Sequence, residues 1–492
     1  MSLSSRQQSI TSAIRFSLVA AALSALLLHF SSRAEAWPGD LDPSFARGGK
    51  TVTALDMGTS WYAATSLITE APKGALVVIA GDKLIRYGRG GRIDRGFGTE
   101  GVVKIEVPGF DFSISDLDVD SAGRAVIFGT ATDYGTLLSP YTSSYPSGAA
   151  FRSYATVIRY TTTGGLDPTF GDGDGIETTN LELPAFPGTT EPAVITGAGV
   201  VDDEDRPVLI GGQREVASPC EGHGHYADFD KLIARLTPAG DLDASFGSGD
   251  GITFLEGSDE VSDIVLGGRG HLTLAGAAQE RCDDRNFVVL RMRPNGVLDD
   301  SFGRDGRRRY RLSSPRRIAI DRFGRTYVQA GGIVQYGSGG AYTQGRGVVR
   351  LALDGNLDRG FGQRGVAAVN VPADLTVAHL MAFQSNVDLA AVDSAGRPLL
   401  TGTLTFRPKD RGPLRERLRR RFVVTRLNAH GRPDRSFGRG GWVMTGFGRF
   451  SSGRESDALI DRNGRLVVAG VVNRPDLDPT GGISLVRYLL AP

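Results

Sequence analysis

Seven near-copies of one short segment run along the chain, and they constrain its fold more than any other feature. They read GDLDPSFARGG, GRIDRGFGTEG, GGLDPTFGDGDG, GDLDASFGSGDG, GVLDDSFGRDG, GNLDRGFGQRG and GRPDRSFGRGG. Their Phe residues are Phe45, Phe97, Phe170, Phe246, Phe302, Phe361 and Phe437, spaced 52 to 76 residues apart. Six copies follow a short apolar run ending in Arg: LIRY, VIRY, IARL, VLRM, VVRL or VTRL. In each the Arg precedes a Gly by five positions and the motif Asp by eight, as in Arg235, Gly240 and Asp243. A spacing this fixed describes a hairpin of constant geometry, with the Gly at a positive-φ turn position.

A second signature lies upstream of each run: an apolar segment, a D-x-x-G-R turn and another apolar segment, as in AVDSAGRPLLTG and LIDRNGRLVVAG. Each unit then reads as strand A, tight turn, strand B, variable loop, strand C, tight turn, strand D. Four antiparallel strands in each of seven units make an all-β chain, a seven-bladed β-propeller of four-stranded blades. The last unit, ISLVRYLLAP, offers a strand C with Arg487 and no D motif, whereas GDLDPSF around Asp42 is a D motif with no strand C before it. The N-terminal outer strand is therefore expected to complete the last blade, closing the ring and removing exposed sheet edges.

The LDxSFGxxG motif preceded by VxRL resembles the delta-60 repeat of exported bacterial proteins, a propeller-type family related in pattern to NHL repeats. The resemblance extends over residues 37–492 and implies fold and export rather than any activity. Ala46, in place of Gly after Phe45, and Pro433, in place of Leu, depart from the pattern.

The first 36 residues carry Arg6 and Arg15, an apolar run over 16–30, and Ala34-Glu35-Ala36. That order is expected of a cleaved signal peptide, leaving residues 37–492 as one propeller domain. The apolar run is shorter than the ~20 residues of a spanning helix, so no transmembrane segment is expected. The expected location is secreted, periplasmic or extracellular, and the expected state a monomer. In that setting Cys220 and Cys282, both in B-to-C loops of adjacent blades, read as a disulfide. A formal net charge of +1 supplies no global field for nucleic acid, which is not expected as a partner.

A feature present in every blade is most simply a device that holds each blade together. Arg86, Arg159, Arg235, Arg291, Arg350, Arg426 and Arg487, with Asp42, Asp94, Asp167, Asp243, Asp299, Asp358 and Asp434, are accordingly read as structural. They either pair across the turn or satisfy its backbone groups. The Phe should pack between blades, and the Leu before the Asp should face the same interior. GDGDG at 171–175 resembles part of a calcium loop but lacks the further ligands and the terminal Glu, so it reads as a turn. No H-E-x-x-H, Walker A or G-x-S-x-G occurs.

Length variation collects in the B-to-C and D-to-A loops, on the face opposite the constant turns. Long irregular loops on a rigid scaffold concentrate binding residues. The loop-face candidates are Tyr134, Tyr141, Tyr145, Tyr226 and Tyr336, with Arg419 and Arg420 in the basic run 407–421. Aromatic rings among Ser, Thr, Gly and Asn suit a protein or glycan surface, or else fill gaps beneath the loops. Strand A should line the central channel, bringing Asp116, Asp263, Arg317, Asp388 and Asp457 to its mouth. These read as a polar lining or, in the alternative, the site of a metal-assisted hydrolase or lyase, with calcium as the possible ion. The expected role is an exported binding propeller engaging a protein or glycan at the cell envelope, without a required cofactor.

Overall fold

The structure is a computed structural model and describes residues 36–55, 66–139, 150–179, 194–214, 229–255, 259–281, 284–336, 342–369, 386–406, 419–447, 452–473 and 481–491. Residues 1–35 of the 1–36 segment expected as a signal peptide, Cys220, Cys282, Tyr141, Tyr145 and Tyr226 lie outside the described residues, as do the side chains of Tyr336 and Arg419.

The described strands form seven four-stranded antiparallel blades, each in the order A, B, C, D. Blade 1 is β2 (Ser66–Glu70), β3 (Leu76–Ala80), β4 (Lys83–Tyr87) and β5 (Val102–Lys104). Blade 2 is β6 (Asp111–Val119), β7 (Ala125–Ser139), β8 (Ala150–Tyr160) and β9 (Ile176–Thr179). Blade 3 is β10 (Val194–Val201), β11 (Pro207–Arg214), β12 (Phe229–Arg235) and β13 (Ile252–Leu255). Blade 4 is β14 (Asp259–Leu266), β15 (Leu272–Arg281), β16 (Asp284–Met292) and β17 (Arg307–Tyr310). Blade 5 is β18 (Ser313–Ile320), β19 (Thr326–Tyr336), β20 (Tyr342–Leu351) and β21 (Val366–Val369). Blade 6 is β22 (Asn386–Val392), β23 (Pro398–Phe406), β24 (Arg419–Arg426) and β25 (Trp442–Thr445). Blade 7 is β26 (Ser452–Ile460), β27 (Arg465–Asn473), β28 (Gly482–Leu489) and, from the N-terminal side, β1 (Lys50–Ala54).

Closure happens as the split motif implied. β1 pairs with β28 from Lys50↔Val486 to Ala54↔Gly482. The tight C-to-D turn of blade 7 is built from two distant segments: Gly39 N donates to Leu489 O at 2.7 Å and Leu489 N to Asp40 O at 2.9 Å. The A strands meet in a ring, β2 touching β6, then β10, β14, β18, β22, β26 and β2 again.

Strands B and C read as short unbroken apolar runs, such as LVVIA in β3, because both of their faces are covered by neighbouring blades. Their side chains gather into seven hydrophobic clusters, each drawn from two adjacent blades. Every motif Phe sits in such a cluster at no more than 2% exposure. Each contributes about 1.5–3 kcal/mol of burial to an inter-blade seam.

Two expectations need correction. The Leu before the motif Asp is not interior throughout: Leu166 is 40% and Leu242 37% exposed. These residues pair with the end of strand C through the backbone, as Leu242 does with Leu236, and a backbone bridge does not require the side chain to be buried. The B-to-C connections are also less irregular than loops. β7 and β8 stay paired as far as Ser139↔Ala150, β23 and β24 as far as Phe406↔Arg419, and β19 and β20 as far as Tyr336↔Tyr342. Prolonging the ladder satisfies backbone groups that an irregular excursion would leave to solvent.

Candidate functional site

The repeated Arg and Asp form a continuous brace around the short-turn face. In six blades the Arg Nε donates to the motif Asp Oδ2 at 2.7–2.8 Å, as Arg159 does to Asp167 and Arg487 to Asp42. The same guanidinium lies over the blade's own motif Phe, 4.5–4.8 Å from the ring centre. Its Nη1 then crosses to a turn carbonyl of the next blade: Arg159 to Pro238, Arg235 to Pro294, Arg291 to Leu353, Arg350 to Ala429, Arg426 to Leu490, Arg487 to Arg89 and Arg86 to Thr162. Seven such links return to their starting blade. The two sequence readings, pairing across the turn and satisfying turn backbone, are therefore both realised by one side chain.

The carboxylates are clamped from the other side as well. Asp243 Oδ1 accepts from Ser245 N and Oγ at 2.9 and 2.7 Å. Burial alone would raise the pKa of Asp42, Asp167, Asp243, Asp299 and Asp434, but Ser or Thr hydrogen bonds and the Arg charges outweigh it, and all five lie below the usual carboxylate range. Blade 1 is the weak link, with Arg86 Nε 3.5 Å from Asp94. The GDGDG segment follows the same plan: Asp174 Oδ1 accepts from Ile176 N at 2.8 Å, as Asp250 does from Ile252.

Strand A does supply polar groups beside the axis. A β-bulge immediately precedes Asp116, Asp263 and Asp457, and a bulge re-aims the side chain that follows it. Each then bonds a backbone N–H within strand A of the next blade: Asp116 Oδ2 accepts from Gly199 N, Asp263 Oδ2 from Ile318 N, and Asp457 Oδ2 from Ile68 N, at 2.8–3.1 Å. In blade 6 the bulge follows Asp388 instead, between Leu389 and Ala391. Asp388 is held from blade 5 by Gln329 and Arg346, and Gln329 Oε1 accepts from Leu389 N in the carboxylates' stead. Arg317 Nη1 is 3.5 Å from Asp457.

Burial pushes the Asp116 carboxyl up to about 7, with the Asp263 charge adding to the rise. Burial also lifts Asp263 to about 6, against the pull of Arg317, and raises Asp457. Asp118, which the sequence reading missed, is lifted to about 6 by burial although Val201 N donates to it at 2.8 Å. The signal for it was present: in SDLDV the two Asp are two apart and share one face of β6. Gln329 and Arg346, on strands B and C, carried no such signal. Among the described residues no group of three His, Cys, Asp or Glu side chains forms a set able to hold a metal ion. Asp116, Asp263 and Asp457 accept inter-blade backbone bonds, and Asp388 accepts from Gln329 and Arg346.

On the loop-bearing face Tyr134 is 57% exposed on the projecting part of β7. Phe110 and Phe112 pack against the core between blades 1 and 2, and Phe447 is buried against Phe422 with ring centres 4.8 Å apart. All three rings pack into the seams between blades. Arg420 is half-buried at the stem of the blade 6 hairpin. Among the described residues no helix is long and apolar enough to cross a membrane.

No protein-family model and no curated protein sequence matches the chain. Solved structures do resemble it at low identity. Kuenenia stuttgartiensis hydrazine synthase is 11% identical with a TM-score of 0.42, the match covering 84% of this chain and 95% of that one. A gluconolactonase from Xanthomonas campestris is 11% identical with a TM-score of 0.34, covering 92% and 97%. A protein of unknown function from Dyadobacter fermentans is 13% identical with a TM-score of 0.35, covering 91% and 100%.

Proposed function

We propose that the protein is an exported binding propeller that engages a protein or glycan of the cell envelope through the face bearing the B-to-C hairpins. The observation that carries this reading is the unequal use of the two faces. The constant turns are consumed by the Arg–Asp brace, whereas the extended hairpin stems of blades 2, 5 and 6 project on the other side. Projecting, sequence-variable elements on a rigid frame are where recognition residues are normally found. The recurrent motif adds support for membership of the delta-60 repeat group. In this reading residues 1–36 are a cleaved leader, a Cys220–Cys282 bridge ties the hairpins of blades 3 and 4, and the chain acts as a monomer.

The test is thermal unfolding of residues 37–492 with and without a chelator, then with divalent ions and a panel of glycans. A ligand present at a hundred times its Kd adds about 2.7 kcal/mol of stability. A glycan-specific rise supports the reading, and no shift from any small ligand directs it to a protein partner. A chelator-sensitive melt restored by calcium would overturn it in favour of a metal-assisted hydrolase or lyase at the channel carboxylates.

A further inference from the structure

We infer that the junction of blades 4 and 5 is a second binding site, a cationic cleft that takes an acidic polysaccharide through its sulfate or carboxylate groups. A cavity of about 750 Å3 opens there on the outer wall, at the short-turn side. Its walls carry Arg304, Arg307, Arg308, Arg309, Arg359 and Arg364, against one acidic residue, Asp305.

This cluster breaks the pattern of its own repeat. The first residue of strand D, after the motif Gly, is Val102, Ile176, Ile252, Val366, Trp442 and Lys50 in the other blades. Blade 4 places Arg307 there and continues with Arg308 and Arg309, so β17 reads RRRY. Charge on an outer strand also discourages edge-to-edge pairing. The remaining blades manage their edges with at most one Lys or Glu among these three positions. Edge protection does not account for Arg304, Arg359 and Arg364 converging from two different turns.

The pairing habits of the Arg residues point the same way. The brace Arg are each matched by a carboxylate, but Arg304, Arg359 and Arg364 are exposed and make no ion pair or side-chain hydrogen bond with any described residue. Arg308 donates to Asn356 and so spans the seam, fixing one wall relative to the other. Guanidinium groups bind oxyanions bidentately, and like charges held together without partners favour a polyanion that neutralises several at once. Single-stranded nucleic acid would need free aromatic faces for its bases. The cleft's aromatic ring, Tyr310, is already stacked on Phe287 at 4.5 Å and its hydroxyl donates to Gly355 O. A chain read by its charges alone fits better.

The experiment titrates the purified protein with dextran sulfate and with polygalacturonate, using uncharged dextran and an oligo-dT strand as comparators. The cleft variant Arg304→Glu/Arg359→Glu/Arg364→Glu changes only exposed side chains. We expect salt-sensitive binding of at least one acidic polysaccharide, weakened about tenfold or more in the variant. We also expect that polysaccharide to shield Arg359 and Arg364 of the unaltered protein from phenylglyoxal, read by mass spectrometry. Unshielded Arg359 and Arg364, equal binding by a correctly folded variant, equal binding of uncharged dextran, or tighter binding of oligo-dT would each overturn the inference.

Discussion

At the scale of residues, the Arg of strand C does three jobs at once: it neutralises the motif Asp, covers the motif Phe and ties its blade to the next. Arg426 is fully buried and bonds Asp434, Ser436 and Leu490 O. Arg426→Ala strands a partly buried carboxylate and is expected to cost about 3–5 kcal/mol in chemical denaturation. Arg86→Ala, whose Asp94 partner is 43% exposed, should cost about 1 kcal/mol. Equal losses would show that pair geometry does not govern the brace. The acid groups make opposite pH demands. The depressed carboxylates of the brace stabilise the fold above their ordinary pKa, about 4, and that contribution is lost as pH falls through their folded values. Asp116, Asp118 and Asp263 have raised pKa values, so the folded state retains protons that the unfolded chain has released. Stability should therefore decline as pH rises from about 4 to about 7. Urea midpoints across this range should fall for the parent and fall less for Asp116→Asn; matching slopes would contradict the assignment.

At the scale of elements, the C-to-D turn needs its Gly. Gly240 has φ +110°, and a Cβ there would lie 2.8 Å from Gly171 N of the preceding blade. Gly240→Ala is expected to destabilise by more than about 1 kcal/mol, measured by denaturant midpoint, because it combines backbone strain with a seam clash. This level was largely legible in the sequence, since a fixed Arg–Gly–Asp spacing repeated six times leaves little freedom in where the strands fall. The brace's cross-blade bonds were not legible, because the acceptors are main-chain carbonyls such as Pro238 O and Ala429 O whose side chains share no identity. The channel was half legible. Asp116, Asp263 and Asp457 are brought to the axis by bulges that leave no composition signal, and Asp388 departs from them because its bulge falls on the other side. Gln329 fills an equivalent role from strand B, where no reading of strand A could find it.

At the scale of the whole molecule, the ring is held shut by pairing between segments more than 400 residues apart, β1 on β28 and Asp42 on Arg487. Deleting residues 37–54 should leave β28 as an open edge and replace one cooperative melt with a lower, broader one accompanied by aggregation. An unchanged melt would mean the closure contributes nothing. The shared brace on one face leaves the other free to vary, and this division of labour runs around the whole ring. Its most direct test compares melting temperatures for two changes in blade 6: Arg426→Ala in the brace, and replacement of residues 407–418 by a two-residue turn joining the register partners Phe406 and Arg419. A clear drop is expected for the first and a melt close to the parent's for the second. A shortened hairpin that unfolds the ring while Arg426→Ala leaves it intact would contradict it.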